Sequence, residues 1–298
     1  MISLEGILAP VVTPFDDAGD VDGEAFVHNV RAHLAAGLHG IVVSGSTGEA
    51  ALLEESERMR LVEMARVAVP SARALIVGTG AESTRAVIAR NRAVAERGAD
   101  AVLVVAPHYY GDAVSPDALR DHYLRIADAS PVPVMVYTIP KYMHFATPPE
   151  VIAALATHQN IVGMKDSSGD AALFGRYLES QSDSFRVLTG SGTLLADALR
   201  MGARGAILAV ALFAPAIALD VLRAVRDDDA AAAAAAQARL GPVAARIVGG
   251  LGVPGVKAAM DAVGLRGGKP RPPLLPLAAP ALATVRELVQ TADPTPAR

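Results

Sequence analysis

Eight short apolar runs alternate with longer amphipathic stretches along most of the chain, and this alternation constrains the fold more than any other feature. The runs are rich in Val, Ile and Leu and end at Gly, Pro, Ser or Thr, which is typical of strands buried on both faces. Strands are predicted at residues 6–12, 39–45, 73–80, 101–107, 133–139, 161–166, 185–190 and 205–210.

The stretches between these runs have apolar residues at helical spacing. The clearest, "ESTRAVIARNRAVAERG", offers Ser83 and Thr84 as N-terminal caps and ends at Gly98. Helices are predicted at residues 23–36, 54–68, 82–98, 115–129, 148–158, 170–181, 193–202 and 213–226.

Eight strands alternating with eight helices, spaced about 30 residues apart, predict an α/β fold, a (β/α)8 TIM barrel over residues 1–226. A doubly wound open sheet is the alternative, but no G-x-G-x-x-G follows the first strand, and "GTGAEST" after the third is a poor match. Beyond residue 226 three more helices are expected, in "DDDAAAAAAAQARLGPVAARIVGG", "VPGVKAAMDAVG" and "PLAAPALATVRELVQTA". We interpret residues 227–298 as a C-terminal helical extension packed on the barrel or on a neighbouring subunit, with a frayed "DPTPAR" tail.

Composition excludes several classes of protein. The chain is 52% hydrophobic with a net charge of -4, so nothing in its charge favours nucleic acid or an anionic membrane as a partner. The absence of cysteine excludes disulfides, thiolate chemistry and cysteine-ligated metal. "MISLEGILAPVVTPFDD" does not have the pattern of a signal peptide, and no 18 apolar residues run uninterrupted, so a soluble cytoplasmic protein is expected.

Lys165 ends the sixth apolar run, where a charged side chain is unexpected. The carboxyl ends of barrel strands form the active-site face. Alternation places Ile161, Gly163 and Lys165 on one face, and the small Gly163 leaves room for the lysine. Burial disfavours an ammonium, and a neutral amine is a nucleophile toward carbonyl carbons. One interpretation is a Schiff-base lysine; the other is a lysine that reaches solvent or pairs with Asp166.

Hydroxyl groups follow other strands at the same predicted face. "GSTGE" (45–49) follows the second strand, where Ser46, Thr47 and unhindered N–H groups suit a carboxylate. A capping box between Ser46 and Glu49 would explain the same residues structurally. "PHYYG" follows the fourth strand, and Tyr137 ends the fifth, beside the lysine strand. A phenol there can transfer a proton, although a buried tyrosine often only hydrogen-bonds a carbonyl.

Taken in order, these segments resemble the dihydrodipicolinate synthase / N-acetylneuraminate lyase family of class I, pyruvate-dependent aldolases and lyases. "GSTGE" is similar to the family's G-[TS]-T-G-E motif, "PHYYG" to its P-x-Y-Y segment, "VYTIP" to its Y-N-x-P segment and "GMKDSSGD" to its Schiff-base motif. "GILAPVVTPFDDAGDVDGEAF" resembles the opening strand and helix; "LTGSG", "GARGAIL" and "KPRPPLLPL" resemble segments near the other end. Each motif alone is weak, but the ordered set is specific.

The resemblance implies catalytic roles for four residues. Lys165 would form an imine with the C2 carbonyl of a 2-oxo acid, typically pyruvate, and Tyr137 would relay protons at that carbon. Thr47 would link the tyrosines, and Tyr109 would belong to a proton relay that in several members crosses a dimer interface. A homodimer or homotetramer is therefore expected.

The resemblance also implies a binding site for the 2-oxo acid. Ser46, Thr47 and Gly48 would hold its carboxylate, and Ile207 would line the pocket through its main-chain carbonyl. The partners implied are pyruvate and an aldehyde, with no metal and no organic cofactor.

The second half of the substrate is where the chain departs from the synthase pattern. Tyr142 stands where those synthases have an arginine, and Lys141, its cationic neighbour, lacks the bidentate fork. Thr138 replaces the usual Asn, and Leu212 replaces another near strand eight. "DSSGD" after the lysine resembles sugar-acid aldolases more. The residues expected to meet the second half are Tyr142, His144, Ser167 and Ser191.

Three functions follow from these observations. The first is an aldolase or dehydratase of 2-keto-3-deoxy sugar acids, acting through a Lys165 imine. The second is a dihydrodipicolinate synthase, which condenses pyruvate with aspartate semialdehyde, with an unusual second-substrate pocket. The third is a pyruvate-binding homologue without turnover.

Overall fold

The computed structural model describes residues 4–292, so the "DPTPAR" tail lies outside the described residues. Its centre is a closed barrel of eight parallel strands, in which each strand pairs with the next and the eighth returns to the first. The strands are β1 Gly6–Pro10, β2 Gly40–Val43, β3 Ala74–Gly78, β4 Ala101–Val105, β5 Val134–Thr138, β6 Ile161–Asp166, β7 Arg186–Thr189 and β8 Gly205–Ile207.

All eight predicted strands are present, and closure of the sheet excludes the doubly wound alternative. Most strands end one to three residues earlier than predicted. After β2, β3, β4 and β7 the runs end in Gly, Ser, Thr or Pro residues that belong to the turns that follow. After β1, β5 and β8 the runs continue with apolar residues that lie outside the strand.

Helices separate the strands along the chain, and all eight predicted helices are present. Ser83 caps one of them as expected, because its hydroxyl accepts from the Ala86 N–H at 3.1 Å. The helices are α1 Gly23–Ala35, α2 Glu55–Ala68, α3 Thr84–Ala95, α4 Pro116–Ala129, α5 Pro140–Met143, α6 Pro149–Leu155, α7 Ala171–Leu178, α8 Leu195–Arg200 and α9 Pro215–Arg226. The four-residue α5 has no counterpart in the sequence prediction.

The extension after α9 contains α10 Ala230–Val243, α11 Gly252–Ala262 and α12 Ala279–Ala292. Between α10 and α11, residues Ala244–Leu251 form a π-helix, which we call the π segment. Ile247 and Val256 of the extension belong to the same buried apolar cluster as Ile7 and Val43 of the barrel. The extension therefore packs on the barrel through a shared core.

One helical stretch among residues 4–292, Ala230–Ala262, is long and apolar enough to cross a membrane by length and composition alone. In its most apolar window, 44% of the residues are buried inside the protein. The core helix of a soluble protein meets the same criterion, so this stretch is weak evidence for a membrane.

Candidate active site

Lys165 lies at the carboxyl end of β6, where it pairs with Tyr137 on β5 and Leu188 on β7. Its side chain is only 7% exposed. The Lys165 Nζ lies 4.2 Å from the centroid of the Tyr137 ring, and Tyr137 is 4% exposed. Both residues line a cavity of about 230 Å³. The interpretation of Lys165 as a lysine that reaches solvent does not fit this burial.

The glycine that makes room for Lys165 is Gly190, just after β7. A Cβ atom there would lie 2.8 Å from Lys165 Cε and 1.9 Å from Ser167 Oγ. The sequence analysis predicted that Gly163 makes this room. In the structure Gly163 faces β7 instead, and a Cβ atom there would lie 2.3 Å from the Arg186 carbonyl oxygen.

Asp166 follows the lysine and forms no ion pair with it among residues 4–292. Its carboxylate accepts the Ser168 N–H at 3.0 Å and the Ser168 hydroxyl at 2.8 Å. Burial raises the pKa of Asp166 to about 6, although the Ser168 hydrogen bonds and the Lys165 ammonium favour ionisation. Neutral Asp166 is therefore favoured in the folded state at mildly acidic pH.

An Asp166→Asn variant is expected to gain stability relative to the wild type as pH rises. The pKa of Asp166 is higher in the folded wild type than in the unfolded chain, so protonation of Asp166 stabilises the folded wild type. This stabilisation is complete below about pH 4 and is lost as the pH rises through about 6. The difference in unfolding free energy should shift in the variant's favour by roughly 2–3 kcal/mol between pH 4 and 7.

Urea unfolding of both proteins at several pH values measures this shift. Burial lowers the pKa values of His33 and His122 to about 4, which gives the opposite trend in both proteins and cancels in the difference. A difference that does not change with pH would contradict the prediction.

Ser46–Gly48 form a single 3-10 turn that begins three residues after the end of β2. The first N–H groups of such a turn have no partner within it, and Ser46 and Thr47 line the cavity. Gly48 is not among the lining residues. Its carbonyl accepts the Thr13 hydroxyl at 2.7 Å, and a Cβ there would lie 2.9 Å from the Val11 carbonyl oxygen.

The capping box considered between Ser46 and Glu49 is not formed. Glu49 ends the turn in the left-handed conformation, with φ 57°, and its carboxylate interacts elsewhere. The capping box at this point of the chain belongs to α2, between Glu54 and Glu57.

Tyr109 does not reach this cavity. It lies after β4, its side chain is 77% exposed, and its N–H donates to Glu82 Oε2 at 2.9 Å. Its ring meets the exposed ring of Tyr110 edge-on, with centroids 4.9 Å apart. Tyr109 is therefore exposed and lies outside the cavity of its own chain.

The structure brings most of the other predicted residues together. Tyr142, Ser167, Ser191 and Ile207 line the same cavity as Lys165. Burial raises the pKa of the Tyr142 phenol, and the neighbouring Tyr137 raises it further.

Three positions noted in the sequence lie away from the cavity. His144 is exposed on the loop after α5 and is not among the lining residues. Thr138 is fully buried, and its hydroxyl accepts the Thr147 N–H at 3.1 Å, so it holds that loop. Leu212 is part of the apolar core.

One wall of the cavity was not predicted, because it comes from the extension. Lys141 Nζ donates to the Gly249 carbonyl at 2.9 Å and so joins α5 to the π segment. π-helical turns are rare and often lie at functional sites. Pro242 inside α10 and the glycines of "GGLGVPG" were the available signals. The extension residues in the wall are Ala244, Ala245, Val248, Gly249, Gly252, Val253 and Val256.

The cavity combines a buried amine, a phenol beside it and a turn with hydroxyl and N–H groups. Its lining, within residues 4–292, contains two lysines and no arginine. This arrangement suits attack of an amine on a carbonyl next to a carboxylate. A larger open groove of about 900 Å³ lies on the surface at α1 and α2, and its lining includes none of the predicted site residues.

Comparison with known proteins identifies relatives that cover more than nine-tenths of the chain. The model of the Dihydrodipicolinate synthetase family matches residues 3–292. The 4-hydroxy-tetrahydrodipicolinate synthase of Methanopyrus kandleri is 33% identical over 91% of this chain and 90% of its own.

Two solved structures are also similar. Dihydrodipicolinate synthase DapA-2 from Bacillus anthracis has a TM-score of 0.93 and 30% identity, over 97% of this chain and 99% of its own. YagE from E. coli K12, a prophage protein of the dihydrodipicolinic acid synthase family solved in complex with pyruvate, has a TM-score of 0.91 and 28% identity, over 97% and 98%. The chain therefore belongs to the dihydrodipicolinate synthetase family, whose members are soluble class I, pyruvate-dependent lyases and synthases.

Proposed function

We propose that Lys165 forms an imine with the C2 carbonyl of pyruvate as the first step of a reaction at C3. The observation that carries this proposal is the nearly buried amine of Lys165, which faces the Tyr137 ring at 4.2 Å inside a cavity. Pyruvate bound to a solved relative supports the choice of 2-oxo acid. The amine adds to C2, and water leaves. The resulting iminium accepts the electron pair of the bond that breaks at C3, which gives an enamine, and the enamine returns this pair when a new bond forms at C3.

The surrounding residues have separate parts in this proposal. Tyr137 moves the proton between the Lys165 nitrogen and the departing hydroxyl. The hydroxyl and N–H groups of Ser46 and Thr47 bind the pyruvate carboxylate, while Gly48 supports their turn from behind. The Ile207 carbonyl lines the pocket.

Two reactions are candidates for the second half of the substrate. The name of the Methanopyrus relative favours condensation of pyruvate with aspartate semialdehyde, as in dihydrodipicolinate synthases. The chemistry of the cavity favours the second candidate, an aldolase or dehydratase of 2-keto-3-deoxy sugar acids. Tyr142, Ser167 and Ser191 offer hydroxyl groups there, and Lys141 is held by the Gly249 carbonyl. The names of the relatives support the synthase better.

The proposal is tested first with the wild type and pyruvate in the presence of borohydride, read by intact mass and peptide mapping. A reduced adduct is expected on the peptide that contains Lys165. Folded protein without an adduct would rule out imine chemistry.

Turnover assays then separate the two candidates. Consumption of pyruvate only in the presence of aspartate semialdehyde supports the synthase function. Release of pyruvate from 2-keto-3-deoxy sugar acids supports the aldolase, and imine formation without turnover of either supports a pyruvate-binding homologue.

We propose a cytoplasmic homodimer or homotetramer. The exposed Tyr109, outside its own cavity, supports an assembly in which it serves a neighbouring site. Light scattering coupled to gel filtration measures the mass, and a fully active monomer would contradict this role of Tyr109.

A further inference from the structure

A second buried lysine, Lys257 on α11, lies outside the proposed imine site. Its side chain is 1% exposed, and its Nζ lies 2.5 Å from Glu49 Oε1. The same nitrogen donates to the Lys269 carbonyl at 2.8 Å and lies 4.6 Å from the centroid of the Phe15 ring. These three groups hold the Lys257 side chain, and Lys257 is not among the residues that line the cavity.

Glu49, its partner, holds an unusual backbone conformation. Its φ of 57° lies in the left-handed region, which a glutamate adopts at a cost. The residue is 3% exposed, and its Oε2 accepts the Arg271 N–H at 2.8 Å. Contacts with the C-terminal extension therefore hold Glu49 in this conformation.

The ion pair joins two walls of the cavity. On one side, Glu49 directly follows the turn whose Ser46 and Thr47 line the cavity. On the other side, Lys257 directly follows Val256, which lines it from α11. No other ion pair among residues 4–292 connects the Ser46–Gly48 turn region to α11. The pair therefore couples the Ser46–Gly48 turn to α11.

We propose that Glu49 and Lys257 form a positioning pair that fixes the carboxylate-binding turn against α11 and thereby sets the affinity for the 2-oxo acid. This inference rests on the proposed function, in which Ser46 and Thr47 bind the pyruvate carboxylate. Neither Glu49 nor Lys257 touches the substrate. They act through the position of the turn, and small displacements of binding groups have large effects on reactivity.

The test uses the double variant Glu49→Gln/Lys257→Met in the full chain. Both charges are removed and the side-chain volumes are nearly kept, whereas either single change would leave an uncompensated buried charge. The control is Lys269→Met, which removes the exposed ion pair between Lys269 and Asp17. It keeps the Lys269 main-chain carbonyl that accepts from Lys257. The pyruvate concentration that gives half-maximal borohydride trapping is measured for each protein, together with the thermal unfolding midpoint.

The double variant is expected to need on the order of tenfold to a hundredfold more pyruvate for half-maximal trapping, with complete trapping at saturation. The Lys269→Met control should match the wild type. Glu49→Asp keeps the charge but withdraws the carboxylate by one methylene, and it is expected to shift half-saturation in the same direction by less. It serves as the second variant if the double variant does not fold.

The outcomes separate this inference from the function on which it rests. A lower unfolding midpoint with unchanged half-saturation in the double variant would show a structural role only and overturn the positioning role. Failure of the wild type to trap pyruvate would contradict the proposed function itself.

Discussion

Replacement of Lys165 by alanine is expected to abolish borohydride trapping of pyruvate and to lower kcat on the order of 10⁴-fold or more. The reason is that, among residues 4–292, no other lysine is placed to substitute. Lys141, the other lysine in the cavity lining, donates to the Gly249 carbonyl, and the buried Lys257 is paired with Glu49. Intact mass after borohydride reduction, combined with peptide mapping, measures the loss of trapping. A turnover assay with the substrate that the wild type converts measures the fall in kcat.

Two controls make the Lys165→Ala result specific. Lys269→Met removes an exposed lysine, and its adduct and turnover should equal those of the wild type. The second control is the unfolding midpoint of Lys165→Ala; a value equal to that of the wild type would show that loss of trapping is not loss of fold. An adduct that persists in folded Lys165→Ala, or that maps to the Lys257 peptide, would contradict the assignment of the nucleophile.

The second large effect is expected for Tyr137→Phe. This change removes one hydroxyl and keeps the ring that faces Lys165 Nζ at 4.2 Å, so packing around the lysine should be preserved. Loss of a positioned proton-transfer group costs typically 10²–10⁴-fold, and we expect a fall in kcat on the order of 10²-fold or more. The rate of imine formation, followed by trapping at short times, should fall with it.

Tyr123→Phe is the matched control for the hydroxyl. Tyr123 is fully buried, and its hydroxyl donates to the Val104 carbonyl at 3.1 Å, away from the cavity. Its removal should reduce stability by about 1 kcal/mol and leave kcat unchanged. Equal losses of kcat in the two variants would mean that Tyr137 acts through the fold and not as a proton relay.

The barrel could be predicted from sequence because strands buried on both faces are nearly continuous apolar runs. The amphipathic helices between them have a different periodicity, so the two kinds of element separate clearly. Strand ends were less accurate, because a run such as "GAILAV" continues as an apolar turn after β8 ends at Ile207. The short α5 was missed because four residues carry no helical period.

Part of the candidate site could be predicted, because a residue's position at the end of a strand can be read from the neighbouring sequence. Lys165, Tyr137, Ser46 and Thr47 line one cavity, as strand order implies. The small residue that admits the lysine was assigned to Gly163, on the same strand, whereas the structure places Gly190 of the neighbouring segment against it. Contacts between segments distant in sequence leave no periodic signal in the sequence. For the same reason, the sequence did not predict that the C-terminal extension forms one wall of the cavity.

The wall of the cavity that the C-terminal extension forms is synthesised last. All eight barrel strands lie before residue 208, whereas the π segment and α11 begin at Ala244 and Gly252. A ribosome therefore delivers the amine and its phenol well before the residues that enclose them, and folding during synthesis proceeds from the N-terminus. The cavity around Lys165 is therefore completed only when the last fifth of the polypeptide has been added.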